Sequence, residues 1–90
     1  AAIHYVKVFM ADAGKYTDGS YQFHITFDYG QPRDGTKVFS IKENTGYLRI
    51  WVSDMEVANY MAGFGWKLKY KDKGYWPLTL VMVDYLVFEK

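Results

Sequence analysis

Apolar and polar side chains alternate along most of the chain with a period of two, which is typical of β-strands. The alternation is most regular over residues 21–29, where one face consists of Tyr21, Phe23, Ile25, Phe27 and Tyr29. The other face of this segment is polar, so the pattern predicts a strand that is buried on one side. Similar patterns predict further strands over residues 3–10, 37–42, 47–52, 66–71 and 78–88.

Turn-forming residues separate these predicted strands. Glycine, aspartate, serine and proline are frequent in residues 11–20 and 30–35, which predicts loops there. Residues 43–46 predict a hairpin loop that ends at Gly46, a residue suited to a left-handed backbone conformation. The last strand is apolar on both faces, which is typical of a covered central strand, and Pro77 fits only at its start.

One helix is predicted, over about residues 54–63. Ser53 and Glu56 have the spacing of a capping box, in which the two side chains satisfy early backbone N–H groups. Gly63 and Gly65 are expected to end the helix, one of them as a left-handed cap. The apolar stripe consists of Val57, Ala58, Met61 and Phe64. Since so short a helix is marginal in water, we expect it to dock on the sheet.

The predicted order is therefore β-β-β-β-α-β-β, which indicates a β-rich α+β protein with a small antiparallel curved sheet or barrel. If the third and fourth strands form one bent ribbon, this order is OB-like. Ninety residues predict a single domain, residues 1–90. The expected core consists of Phe23, Ile25, Phe27, Leu48, Ile50, Leu68, Leu80 and Met82.

Composition excludes several classes of protein. Half of the residues are hydrophobic, which argues against a disordered chain, and a net charge of +1 argues against bulk-charge binding to duplex DNA. Cysteine is absent, so no disulfide framework or thiolate metal site is expected. The longest apolar run, residues 78–83, is too short to span a membrane, and no signal peptide is recognisable. We therefore expect no membrane partner, and the cytoplasm is favoured over secretion.

No catalytic or metal-binding constellation is recognisable. His24 and Asp28 share a strand face but are about 13 Å apart, which is too far for a shared proton or metal ion. The sequence has no nucleophile elbow, glycine-rich phosphate loop or paired-carboxylate motif. Asp84 interrupts an otherwise apolar strand face, where a carboxylate needs a salt bridge or an exposed position. The expectation is a protein that is not an enzyme and has no cofactor.

An aromatic and basic surface is the strongest functional candidate. Aromatic and cationic side chains alternate with apolar ones on three predicted strands. Single-stranded DNA or RNA binds to such surfaces because bases stack on flat rings while cations follow the phosphates. The candidate nucleic-acid-binding residues are Tyr5, Lys7, Tyr47, Arg49, Trp51, Lys67, Lys69 and Lys71.

Two other interpretations of the same residues remain open. Tyr47 and Trp51 are also compatible with packing under the helix, and lysines on an edge strand also prevent aggregation without any ligand. The apolar faces of the first and last strands also suit a protein-interaction module, which would self-associate as a homodimer or bind a protein partner.

Overall fold

The computed structural model describes residues 2–15, 18, 21–76 and 79–90. It contains four strands, one α-helix and one 3₁₀ helix. In chain order these elements are β1 (Tyr5–Lys15), β2 (Tyr21–Asp28), the 3₁₀ helix (Lys42–Leu48), α1 (Asp54–Ala62), β3 (Lys67–Tyr75) and β4 (Met82–Glu89).

The four strands form one antiparallel sheet in the order β2-β1-β4-β3. The central strands are β1 and β4, and Val8 of β1 lies opposite Phe27 of β2 and Leu86 of β4. A β-rich α+β fold is confirmed. The predicted order is not, because two of the six predicted strands do not form and the described residues pair as a four-stranded sheet. The OB-like arrangement is not confirmed.

The core lies on one face of the sheet, beneath α1. It combines alternate residues of β1, β2 and β4 with the apolar side of the helix and with the segment that precedes it. Burial of these apolar side chains supplies most of the driving force for folding. The buried cluster consists of Val6, Val8, Met10, Ile25, Phe27, Ile41, Trp51, Val57, Met61, Trp66, Leu86 and Phe88.

The helix forms where the sequence predicts it. The Ser53 Oγ accepts a hydrogen bond of 3.1 Å from the Met55 backbone N–H, as an N-cap does. Glu56, the other half of the predicted capping box, lies 3.7 Å from the Arg49 guanidinium. The C-cap of α1 is Gly63, whose φ of −61° is right-handed, and the left-handed conformation predicted for one of the two glycines occurs two residues later, at Gly65, with a φ of 92°.

The predicted strands over residues 37–42 and 47–52 are wrong. Residues 36–41 are irregular, and the 3₁₀ helix replaces both the predicted hairpin loop and the start of the return strand. Gly46 is buried and has no positive φ, and a Cβ at this position would come within 3.2–3.3 Å of Tyr60, Ile25 and Trp51.

Three of the eight predicted core residues belong to the core. Ile25 and Phe27 are buried, and Phe23 packs against them. The described residues form a single four-stranded sheet, so no second sheet among them covers the other five. The exposed ones are Leu48, Ile50, Leu68, Leu80 and Met82, and Leu48 is 74% exposed.

Several element boundaries also differ from the predictions. Strand β1 begins at Tyr5 and continues through residues 11–15, which were expected to be loop. Strand β3 extends to Tyr75, and β4 begins at Met82. The predicted positions of Pro77 and Leu78, and the loop positions 16, 17, 19 and 20, lie outside the described residues.

One extra residue interrupts the pairing of β3 with β4. Leu68 lies opposite Phe88 and Tyr70 lies opposite Val87, so Lys69 is left in a β-bulge. Side chains alternate between the two faces of a sheet, and the bulge therefore reverses the alternation of β3. Tyr70 lies on the face opposite the helix, and Lys71 lies on the helix face.

Candidate nucleic-acid interface

The face of the sheet opposite α1 carries rings on its central strands. Phe9 of β1 lies opposite Tyr85 of β4, and in the next row Lys7 lies opposite Val87. Val87 in turn lies opposite Tyr70 of β3, and Tyr5 lies at the end of β1 in the row beyond Lys7. We call this surface, consisting of Tyr5, Lys7, Phe9, Tyr70, Tyr85 and Val87, the open face.

The rings of the open face pack on one another. The ring centroids of Phe9 and Tyr85 are 5.4 Å apart, and Trp76 meets Phe9 edge to face at 6.2 Å. The Lys7 Nζ lies 4.8 Å from the centroid of the Tyr85 ring, close enough for a cation–π contact. Gly74 makes room for that ring, since a Cβ there would come within 2.9 Å of Tyr85 Cε2. The surface is thus an ordered aromatic layer.

A groove of about 490 Å³ crosses the open face. Tyr5, Lys7, Val87 and Tyr70 belong to its lining, which is mainly apolar. Tyr29 and Phe39 contribute further rings, 5.5 Å apart, from the segment that follows β2. Tyr5 is 53% exposed and Tyr70 is 51% exposed, so both rings are accessible to a ligand.

The structure brings together four of the eight residues predicted from the sequence. Tyr5 and Lys7 lie on the open face, and Lys67 lies on the same face opposite Glu89. Lys69, in the bulge, lines the groove, and its Nζ lies 3.4 Å from Glu89 Oε1. Lys67 and Lys69 are exposed, Lys7 is half-buried, and all three flank the rings.

Lys71 and Arg49 lie apart from that group. Lys71 lies on the helix face, where its Nζ is 2.9 Å from Asp54 and 3.7 Å from Asp84. This hydrogen-bonded ion pair lowers the pKa of Asp54 and raises the pKa of Lys71. The Arg49 guanidinium stacks 3.8 Å from the Trp51 ring centroid. The prediction that one surface contains all of these cations is therefore wrong.

Trp51 is fully buried, so its ring does not present a face on which a base could stack. Its Nε1–H donates to the Gly46 carbonyl at 2.9 Å, and its ring meets Tyr60 of α1 edge to face. The alternative interpretation, packing under the helix, describes Trp51 correctly. Tyr47 is exposed but lines a different groove, beside His24 and Thr26 of β2.

The nucleic-acid prediction did not include Phe9, Tyr70, Trp76 and Tyr85, although the face that contains Phe9 was considered as a protein-interaction surface. The apolar character of both faces of β4 contained a signal for Tyr85, because the helix covers only one face of this central strand and Tyr85, which is half-buried, lies on the other. Tyr70 had no such signal, since the bulge at Lys69 is invisible in a regular alternation.

Other kinds of site lack support in the described residues. In this part of the chain no three His, Cys, Asp or Glu side chains are grouped to hold a metal ion. Asp84 is partly exposed, and its carboxylate lies 3.7 Å from the Lys71 Nζ, which is the salt bridge that the sequence led us to expect as one alternative. Among the same residues, no helix has the length and apolar character needed to cross a membrane. Comparison with models of protein families, with curated proteins and with solved structures found no match.

Proposed function

We propose that the chain is a small non-enzymatic binding domain that binds single-stranded nucleic acid on its open face. The observation that carries the proposal is the pair of half-exposed rings, Tyr5 and Tyr70, on either side of β4, with Lys7 in the same row of the sheet as Tyr70. The two rings lie on β1 and β3, which are separated by β4. Because neighbouring strands are about 5 Å apart, β1 and β3 are about 10 Å apart. Two bases of one strand therefore have separate rings on which to stack.

The charge pattern favours stacking over electrostatics as the main source of affinity. Lys7, Lys67 and Lys69 supply cations, but Asp28 and Glu89 lie on the same face. If about three phosphates are neutralised, the logarithm of the affinity should fall with log salt with a slope of about −2. A purely electrostatic binder would have a steeper slope. The proposal uses a four-stranded sheet and does not depend on an OB-like barrel, which stays a prediction.

Fluorescence anisotropy of labelled oligo(dT) tests the proposal. Tyr5→Ala and Tyr70→Ala should each weaken binding about tenfold, since a stacked base contributes about 1–3 kcal/mol. Tyr75→Ala is the matched control: Tyr75 is 58% exposed and on β3, but it pairs with Met82 on the helix face. No binding at tens of micromolar protein, or equal losses in all three variants, would contradict the proposal.

Self-association is the second candidate, and exposed apolar side chains between the 3₁₀ helix and α1 favour it. Leu48, Ile50, Val52 and Met55 are each at least 45% exposed within eight residues of chain. A second copy of the chain that covered this strip would remove apolar area from water on both copies. Sedimentation velocity of the wild type and Leu48→Ser tests it. A monomer at all concentrations would exclude a homodimer.

A further inference from the structure

An acidic side chain lies on the open face, beside the groove that crosses it. Asp28 ends β2 and lies directly opposite Lys7 of β1. Residues that lie opposite each other on neighbouring strands share a face of the sheet, so Asp28 is on the same face as Lys7. Asp28 and Gly30 both line the groove. A ligand in this groove therefore meets a carboxylate as well as the rings.

The Asp28 carboxylate is accessible. Asp28 is exposed, and its Oδ1 accepts a hydrogen bond of 3.1 Å from the Gly30 N–H at the protein surface. This bond closes an Asx turn, which holds the carboxylate beside Gly30. Gly30 adds no side chain, and a Cβ there would have no heavy atom within 4 Å apart from those of its chain neighbours. The space next to the carboxylate is therefore open to a ligand.

The carboxylate also has acceptor capacity to spare. Its two oxygens offer about four lone-pair sites, and the Gly30 N–H occupies one of them. No salt bridge joins Asp28 to a cation within the described part of the chain. The Nζ of Lys7 lies instead over the Tyr85 ring, 4.8 Å from its centroid. Asp28 can thus accept hydrogen bonds from N–H groups of a ligand.

Asp28 lies near one of the two rings on which a base would stack. Tyr5 precedes Lys7 by two residues on β1, so Tyr5 and Asp28 are diagonal neighbours on one face. Such neighbours are about 7–8 Å apart, a distance that aromatic side chains can span. A base stacked on Tyr5 can therefore direct its Watson–Crick edge toward the Asp28 carboxylate.

We infer that Asp28 selects guanine at the base position stacked on Tyr5. This inference rests on the proposed function. The Watson–Crick edge of guanine has two adjacent N–H donors, which match the two oxygens of a carboxylate. Adenine and cytosine each present one amino group beside a ring nitrogen that is itself an acceptor and repels a carboxylate. Thymine presents one N–H between two carbonyl oxygens, which a carboxylate also repels.

The first experiment changes the base. Oligo(dT) is compared with the same oligonucleotide carrying one central dG, dA, dC or deoxyinosine. The dG oligonucleotide should bind about tenfold more tightly than oligo(dT), as expected for one bidentate base contact. Deoxyinosine lacks only the amino group of guanine and should lose most of this gain, although its ring stacks in much the same way. A gain that deoxyinosine retained in full would come from stacking and would contradict the inference.

The second experiment changes the carboxylate. Asp28→Asn should abolish the preference for dG, because the amide presents an N–H to one of the two guanine donors. Asparagine also forms Asx turns, so the bond from Gly30 is kept. The affinity for oligo(dT) should not fall, since the variant removes a negative charge from a face that phosphates approach. An equal loss of affinity for every oligonucleotide would indicate a structural role for Asp28 and contradict the inference.

Asp34→Asn is the matched control. The Asp34 Oδ1 accepts from the Thr36 N–H at 2.8 Å, with the same two-residue spacing as Asp28 and Gly30. Asp34 does not belong to the lining of the groove. This variant removes the same charge from the same kind of turn and should keep the preference for dG.

The two proposals fail in different ways. If no oligonucleotide binds to the wild type, both are wrong. If oligo(dT) binds but dG brings no gain, if dA or dC brings a larger gain, or if the dG preference survives Asp28→Asn, the selection of guanine by Asp28 alone is wrong.

Discussion

Trp51 and Phe23 exchange two backbone hydrogen bonds, of 2.8 and 2.9 Å, in a single antiparallel bridge beside β2. The bridge holds Trp51 in register with the edge of the sheet although no strand forms around it. With its backbone fixed there, the indole lies inward between Gly46 and Tyr60. Trp51 is therefore part of the core, although the alternation of residues 47–52 predicts an exposed ring at this position.

Trp51→Phe should separate the core role of Trp51 from any role in binding. The variant loses the bond to the Gly46 carbonyl and leaves a small void, so the free energy of unfolding should fall by about 1–3 kcal/mol. Affinity for oligo(dT), measured where the variant is folded, should change less than twofold. Urea denaturation and anisotropy measure the two quantities. A tenfold loss of affinity in the folded variant would restore Trp51 to the binding surface.

Gly46→Ala should destabilise the protein through crowding and not through backbone strain. A Cβ at this position would lie 3.2–3.3 Å from Tyr60, Ile25 and Trp51. Overpacking of this kind typically costs about 1–3 kcal/mol. Gly30→Ala is an informative comparison, since Gly30 has open space but a φ of 81°, so its cost would come from strain alone. Equal stability of Gly46→Ala and wild type would mean that this part of the core is loosely packed.

Ser53→Ala should remove the N-cap of α1. The Met55 N–H loses its acceptor, which typically costs about 1 kcal/mol, or roughly 4–8 °C of melting temperature in a protein of this size. Ser53→Asp should restore most of the loss, because aspartate also caps and suits the helix dipole. Thermal denaturation followed by circular dichroism measures both variants. If alanine and aspartate behave alike, the hydrogen bond to Met55 does not cap the helix in solution.

The pair of Asp54 and Lys71 should make stability depend on pH in acid. Folding lowers the pKa of Asp54, so the pair's contribution is fully present above the unfolded value of about 3.9 and is lost as pH falls through the folded value. Folding raises the pKa of Lys71, so the contribution is also lost as pH rises above about 10.4 and through the raised value. Both side chains are more than a third exposed, which limits the effect to about 1 kcal/mol or less.

Lys71→Met measures that contribution. Its loss of stability relative to wild type should be largest near neutral pH and should vanish in strong acid. Lys73→Met, a lysine two residues further along β3, controls for the removal of a positive charge from this strand. A difference between Lys71→Met and wild type that stays constant down to the lowest pH would exclude the ion pair as its cause.

The sequence predicted the elements whose signals are local. The helix was predicted because a cap, an apolar stripe and terminal glycines all lie within a dozen residues, and β2 was predicted because its alternation is uninterrupted. Residues 47–52 alternate equally well, yet the chain forms a 3₁₀ helix and a single bridge there. Whether an alternating segment finds a strand partner depends on contacts distant in sequence, and Leu48 is exposed for that reason.

The candidate site was half predictable by the same logic. Tyr5 and Lys7 belong to the part of β1 whose pairing is regular, so their common face follows from alternation. The lysines of β3 do not share one face, because pairing with β4 inserts a bulge that composition does not reveal.

Lys69 makes the surface chemistry of β3 a matter of chain length as well as residue type. Deleting this one residue, with no substitution elsewhere, would restore simple alternation. Counted from the segment paired with Val87 and Leu86, Lys67 would remain on the open face and Leu68 on the helix face. If β3 kept Lys69 but paired without the bulge, Lys67 and Leu68 would instead exchange faces. The bulge thus lets the strand hold one extra residue while a charged and an apolar side chain keep their places.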